Sequence, residues 1–112
     1  MEDCIFCKIA AKQVPATVFY EDDEHMACRD INPAAPLHAL LIPKKHYATV
    51  YDLPDAETHG KLMQAACAAA KAMGLDRTGF RIVANYGADG GQEVMHVHYH
   101  ILGGRVMGWP PG

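Results

Sequence analysis

One stretch near the carboxyl end limits what this chain can become. In Met95-His96-Val97-His98-Tyr99-His100-Ile101-Leu102, imidazoles alternate with apolar side chains without a break. A period of two is that of a β-strand, whose successive side chains point to opposite faces. The pattern predicts a last strand over Glu93 to Leu102, with His96, His98 and His100 on one face and Val97, Tyr99 and Ile101 turned to the core. Same-face neighbours stand about 6.6 Å apart, so two imidazoles can reach a single phosphate-sized group. Histidine is seldom fully buried, so three on one face point to chemistry more than to packing.

Two chemistries suit three imidazoles. They can hold a zinc ion whose bound water attacks a substrate. Alternatively, one neutral imidazole is the nucleophile and another the acid. The loop ahead of the strand favours the second reading. Gly87, Gly90 and Gly91 let the backbone approach closely, and Asn85 and Gln92 add uncharged amides. Such a loop fits an oxyanion or a phosphate.

Composition narrows the remaining classes. With 112 residues, half of them apolar, the chain predicts a single domain over 1–112, with 103–112 as an irregular tail. A net charge of −3 disfavours a nucleic-acid polymer as partner, because that needs a basic stripe. No apolar run approaches the roughly 20 residues of a membrane span, and Met1 to Lys12 lacks the pattern of a secretory signal. The expectation is a cytoplasmic protein without a membrane partner. Four cysteines in such a compartment do not imply disulfides. Cys28 and Cys67 read as small buried apolar residues, whereas Cys4-x-x-Cys7 is half of a tetrahedral metal site or a redox pair.

The rest of the chain gives an α+β order. Asp3 is positioned to cap a short helix over Cys4 to Lys12, ended by Pro15. Thr17 to Tyr20 and His25 to Asp30 read as a hairpin around the acidic turn Glu21 to Glu24. Leu37 to Pro43 is an apolar run suited to a central strand. A long helix is predicted from Pro54, placed in its first turn, to Met73, with Leu62, Ala65, Ala66, Ala69 and Met73 at helical spacing and Gly74 as its stop. Phe80 to Tyr86 is a further strand, joined to the histidine strand by a hairpin loop over Gly87 to Gln92.

The histidine segment resembles the signature of the histidine triad (HIT) superfamily: His, apolar, His, apolar, His, two apolars. The likeness continues through Ile5-Phe6, Tyr20-Glu21-Asp22, Asp30-Ile31-Asn32-Pro33, His38, Ile42-Pro43-Lys44-Lys45-His46, Gly90-Gly91-Gln92 and Gly103-Gly104-Arg105. The ending Trp109-Pro110-Pro111-Gly112 is similar to the Hint-type nucleotide-binding branch. Members of that branch are homodimers that hydrolyse purine nucleoside phosphoramidates.

The resemblance implies a HIT-like fold: an antiparallel sheet of about five strands, one long and one short helix, and a sheet continued across a homodimer. It implies that His98 attacks the α-phosphorus of an adenosine 5′-phosphoramidate, and that water then releases AMP from the nucleotidylated histidine. No cofactor is needed for that chemistry. A nucleophilic imidazole must hold its other nitrogen against an acceptor such as a backbone carbonyl. His100 would contact phosphate and leaving group, with His38 in support. Asp30 would take the ribose hydroxyls, and Asn85 and Gln92 the phosphate. Ile5, Phe6, Ile9, Val14 and Cys28 would line the base pocket. A glutamine in place of His100, as in the uridylyltransferase relatives, could not supply a proton, so hydrolysis is favoured over transfer. Many bacterial relatives use a cysteine pair with two histidines for a structural zinc, which maps onto Cys4, Cys7, His46 and His96. Many eukaryotic Hint proteins have serine where this chain has Glu93, and a carboxylate there should turn away from an anion. The alternatives are a zinc-dependent hydrolase built on all three triad histidines, and a nucleotide-binding interaction protein with incidental hydrolysis.

Overall fold

The computed structural model describes residues 3–112. Five strands form one antiparallel sheet: β1 (Val18–Glu21), β2 (His25–Arg29), β3 (Leu37–Pro43), β4 (Phe80–Ala84) and β5 (Tyr99–Gly103), in the spatial order β1-β2-β3-β5-β4. The apolar run Leu37–Pro43 is the middle strand, as its composition predicts, since a strand with neighbours on both sides has little polar surface to offer. Helix α1 (Ile5–Ala10) precedes the sheet, and the long helix α2 (Ala56–Ala72) crosses between β3 and β4.

Helix α2 packs on one face of the sheet. Asp55 caps it by accepting from the Thr58 N–H and hydroxyl, so Pro54 stands ahead of the cap instead of inside the first turn. Its buried residues are Leu62, Ala65, Ala66, Ala69 and Ala70, which meet Ala27, Ala39, Leu41, Val97, Tyr99 and Ile101. Alanine on both surfaces brings helix and sheet close together. Cys67 falls on the outer side of this helix and is exposed, contrary to its reading as a buried residue.

The opposite sheet face carries Met26 and Ile42, packed with Phe6 of α1. That helix begins later than predicted: Cys4, not Asp3, is its cap, and the Cys4 sulfur accepts from the Cys7 N–H at 3.3 Å. It also ends at Ala10, well before Pro15.

The histidine segment departs most from its prediction. The ladder of β5 starts only at Tyr99, opposite Ala84, where β4 ends, and Leu41 of β3; residues 93–98 pair with neither strand, although β3 runs on to Pro43. A single backbone bond, from the Val97 N–H to Tyr47 O at 2.7 Å, holds that stretch. The alternation survives nonetheless, with Val97, Tyr99 and Ile101 all in the core beneath α2. The link from β4 is likewise more than a hairpin loop, since Gly87–Gly90 form one helical turn, α3.

β5 takes in Gly103, the first residue of the predicted tail. The next residue, Gly104, has φ of +90° and so little room that a Cβ would lie 2.9 Å from the Cβ of Pro36. Gly104→Ala should therefore lower the stability of the fold by about 1–3 kcal/mol. Urea unfolding checks this, and an unchanged midpoint would refute the steric argument.

Candidate active site and metal centre

Strand register assembles the cleft. Leu40 stands opposite Cys28 on one side and His100 on the other, while His38 is opposite Leu102. Two steps along β3 therefore bring His38 and Leu40 to the face that bears His100. The cleft holds about 340 Å3, walled by Phe6, Asp30, Leu40, Asn85, His98 and His100, with Gly91, Glu93 and Val94 completing the loop side.

Hydrogen bonds fix the proton positions on these rings. The Ala34 N–H donates to Nδ1 of His38 at 2.9 Å, so neutral His38 carries its hydrogen on Nε2. That Nε2–H lies 2.9 Å from Nδ1 of His100 and 3.3 Å from an Asp30 carboxylate oxygen. Nδ1 of His100 is thus an acceptor, and its Nε2–H is the hydrogen left for the cleft. His98 has the opposite tautomer. Its Nδ1–H donates to the backbone carbonyl of His96 at 2.8 Å, which leaves the Nε2 lone pair free. The edge-on Phe6 ring, 4.9 Å between centroids, limits how His98 can swing. Burial, followed by the neighbouring His98 and His38, pushes the imidazolium form of His100 down, against a smaller opposing pull from Asp30.

The other residues singled out from sequence are placed as follows. Asp30 accepts the Asn32 N–H at 2.8 Å, and its second oxygen faces His38. Asn85 is on the cleft wall, with its amide nitrogen donating to Gly90 O at 2.7 Å, a bond that closes the glycine turn. Gln92 does not line the cleft. Its amide nitrogen donates to Ala48 O at 2.8 Å and Val94 O at 3.2 Å, tying two loops together, while its oxygen is buried without a partner. Of the apolar set, Phe6 is on the wall and Cys28 lies buried next to Leu40, its thiol pushed up by burial. Ile9 packs behind Phe6, Ile5 faces a neighbouring cavity, and half-buried Val14 is outside the cleft lining. Leu40 was missed by sequence reasoning, although its two-residue spacing from His38 carried the signal. Glu93 is exposed as expected, yet it stands on the cleft wall.

His96 takes no part in this cleft. It is fully buried, and its Nε2–H donates to Pro43 O at 2.8 Å, which turns the Nδ1 lone pair toward sulfur. Cys4 Sγ is 3.2 Å from that Nδ1, Cys7 Sγ is 3.5 Å from it, and Cys7 Sγ is 3.3 Å from Nδ1 of His46. The four donor atoms all lie within 4.8 Å of one another. A tetrahedral zinc with bonds of about 2.0–2.3 Å needs ligand separations of about 3.3–3.8 Å, so this Cys2His2 set fits zinc closely. The Pro43 carbonyl supplies the outer contact that orients a ligating histidine. Burial, then the bond to Cys4, pushes the Cys7 thiol up, and burial pushes His96 down. Both shifts favour uncharged side chains, and a dication would overcome the penalty on the thiolates.

A second group, Asp30, His38 and His100, also brings three donor atoms within 4.8 Å. It reads as a proton relay instead, because Ala34 occupies Nδ1 of His38 and commits Nε2 to holding hydrogen. Among the described residues no potential metal group unites His96, His98 and His100. The zinc hydrolase built on all three is thereby contradicted, since His96 turns its free nitrogen to the cysteines.

Comparison with known proteins adds an independent line. The model of the HIT domain matches residues 11–107. A 14 kDa zinc-binding protein of Brassica juncea is 49% identical over 114 residues, spanning 98% of this chain and 100% of that protein. The crystal structure of a HIT family hydrolase from Legionella pneumophila superposes with a TM-score of 0.92 at 51% identity, covering 98% of this chain and 100% of that one. A histidine triad nucleotide-binding protein from Candida albicans gives 0.82 at 31% identity, over 96% of this chain and 83% of its own.

The proton assignment has a direct spectroscopic consequence. Long-range proton–nitrogen NMR at neutral pH should find His98 as the Nδ1–H tautomer and both His38 and His100 as Nε2–H. His100 should protonate below the ordinary imidazole range near 6.5. An Nδ1–H signal on His100 would refute the relay.

Proposed function

The chain belongs to the HIT domain family, and from that premise we propose that it hydrolyses purine nucleoside 5′-phosphoramidates, of the adenylyl-amine or adenylyl-lysine type, through a nucleotidyl-histidine intermediate. The observation that carries this reading is the pairing of opposite tautomers in one cleft: a bare Nε2 on His98 beside an Nε2–H on His100. A nucleophile and a hydrogen-bond donor are what displacement at phosphorus requires.

In the first step the lone pair of His98 Nε2 forms a bond to the α-phosphorus while the phosphorus–nitrogen bond breaks. The departing amine takes up a proton from solvent, with the Nε2–H of His100 hydrogen-bonded beside it. The His98 ring becomes cationic, and its Nδ1–H bond to the His96 carbonyl strengthens as charge develops. Water then attacks phosphorus, the Nε2–phosphorus bond breaks, AMP departs and a proton returns to solvent. His38 positions His100 by the hydrogen bond between their rings. Asp30 has an oxygen at the cleft to accept ribose hydroxyls, and Phe6, Leu40 and Cys28 offer the apolar surface for the base. Asn85 and Gln92 support the phosphate loop through the backbone bonds they make. Catalysis is assigned without a cofactor.

Cys4, Cys7, His46 and His96 are assigned a structural zinc that fastens α1 to the chain leaving β3 and the segment entering β5. It would supply folding energy and no reaction chemistry. A homodimer in the cytoplasm completes the reading. The outer edge of β4 is unpaired by any strand, Phe80 at its start is exposed, and the tail lies nearby, with Arg81 donating to Gly108 O at 2.8 Å and its guanidinium over the Trp109 ring. An open edge of this kind is a natural place for a second copy to extend the sheet.

Two experiments test these assignments. Wild type should release AMP from an adenosine 5′-phosphoramidate, and rapidly quenched reactions should carry one adenylyl group on His98, with His98→Ala slower by about 1000-fold or more. Turnover without an adduct, or an active His98→Ala, overturns the covalent route, while equal and negligible turnover by both proteins leaves a binding protein. Protein purified without chelator should contain about one zinc per chain, falling steeply in Cys7→Ser together with a lower melting temperature. Wild type with less than about 0.2 zinc per chain would sink the metal assignment.

A further inference from the structure

The charged side chains on the cleft wall are of one sign. Apart from its histidines, the wall carries Asp30 and Glu93, and neither Lys nor Arg. For a cleft read as taking a phosphate this is an unusual balance, because nearby carboxylates repel the anion. Asp30 is accounted for, since its oxygens meet the Asn32 N–H and the His38 Nε2–H. Glu93 is not. It is exposed, and none of the ion pairs among the described residues engages it.

Glu93 also faces two ways. With Val94 it borders an adjoining cavity of about 510 Å3, to which Ile5 and Met95 add apolar surface and Asp3 a further carboxylate, and whose lining is completed by Cys4 and His46 of the sulfur cluster. A group leaving phosphorus near His98 and passing Glu93 would meet apolar surface from Val94, Ile5 and Met95 and the two carboxylates of Glu93 and Asp3. An aliphatic chain with a positive charge matches both properties. An anionic chain would meet Glu93 and Asp3 with like charge, and a neutral one would gain only the apolar part.

We propose that Glu93 is a specificity residue that selects the amine half of the substrate by charge, favouring phosphoramidates whose leaving group is an aliphatic amine bearing a second, cationic group. This rests on the reading of the cleft as a phosphoramidate site and names the substrate class within it. The carboxylate repels the phosphate, so it gives a net advantage only when a cation on the same molecule comes near it. Screening by salt should weaken the preference, because Glu93 is exposed.

The test separates binding from turnover. Two unreactive adenosine 5′-sulfamates are compared, one carrying a 2-aminoethyl and the other a 2-carboxyethyl group on the sulfamate nitrogen. Wild type should bind the cationic compound about tenfold more tightly at low ionic strength, the size expected when an exposed charge contact changes from attraction to repulsion. The ratio should shrink to about twofold or less in Glu93→Gln, persist in Glu93→Asp, and contract in high salt for wild type. The kcat/KM ratio for the matching phosphoramidates should follow the same order. An equal ratio in wild type and Glu93→Gln overturns the inference, and AMP release in the same samples then leaves the hydrolase reading standing. Discrimination between the sulfamates without any phosphoramidate turnover has the reverse meaning: Glu93 selects charge and the hydrolase reading fails. Failure of wild type to bind either compound overturns both.

Discussion

One backbone hydrogen bond orders the protons of the cleft. The Ala34 N–H, set by the turn between β2 and β3, points at Nδ1 of His38 and leaves that ring a single way to carry its hydrogen. The consequence passes through His38 to His100, whose remaining N–H then belongs to the cleft. An independent carbonyl, that of His96, performs the opposite service for His98. Neither assignment depends on a neighbouring charge, so the nucleophile and the donor are prepared before any substrate arrives. Such preparation avoids reorganisation during the reaction, which is where hydrogen-bond donors in enzymes contribute most.

The sheet makes this arrangement affordable in stability. Its α2 face does the work of burial through Leu62, a row of alanines, and the core residues of β2, β3 and β5. The other face can then be partly given over to polar groups, with Phe6 and α1 covering only one side of the cleft. The cost of burying His96 is offset by two directional contacts, the Pro43 carbonyl on one nitrogen and the cysteine sulfurs at the other. Two sites therefore share a single short segment without sharing ligands: His96 serves the sulfur cluster, and His98 and His100 serve the cleft.

Much of the fold was legible because it follows from periodicity. The β3 strand follows from its continuous apolar run, the inward residues Val97, Tyr99 and Ile101 from period two, and the inner face of α2 from its helical spacing. What went astray was local geometry decided by neighbours. The histidine strand was expected from Glu93, yet it begins at Tyr99, where β4 ends beside it and its pairing with β3 starts at Leu41. Cys4 replaces Asp3 as a cap because its sulfur is already held near the Cys7 N–H by the cluster it belongs to. Cys67 looked apolar enough to be buried, but its phase on α2 turns it outward. Gln92 looked suited to phosphate, but its amide donates to a carbonyl far off in sequence, that of Ala48, and to the nearby one of Val94.

The sequence by itself determined which residues could carry chemistry and which face each would take, since alternation on a strand follows from the stereochemistry of the chain alone. It also supplied the four metal-binding residue types and the family likeness. Only the tertiary structure decided how His38, His46, His96, His98 and His100 divide their labour. Tautomer and metal preference depend on which partner reaches each ring nitrogen. The His96 carbonyl that sets His98 is local, but His38, Pro43, Cys4 and Cys7, which set His100 and His96, are far from the histidine segment in sequence. The same holds for Glu93, whose place on the wall between two cavities arises from the meeting of α1 with the loop before β5. Spacing along the chain fixes direction, but contact between distant segments fixes protonation and electrostatic surroundings.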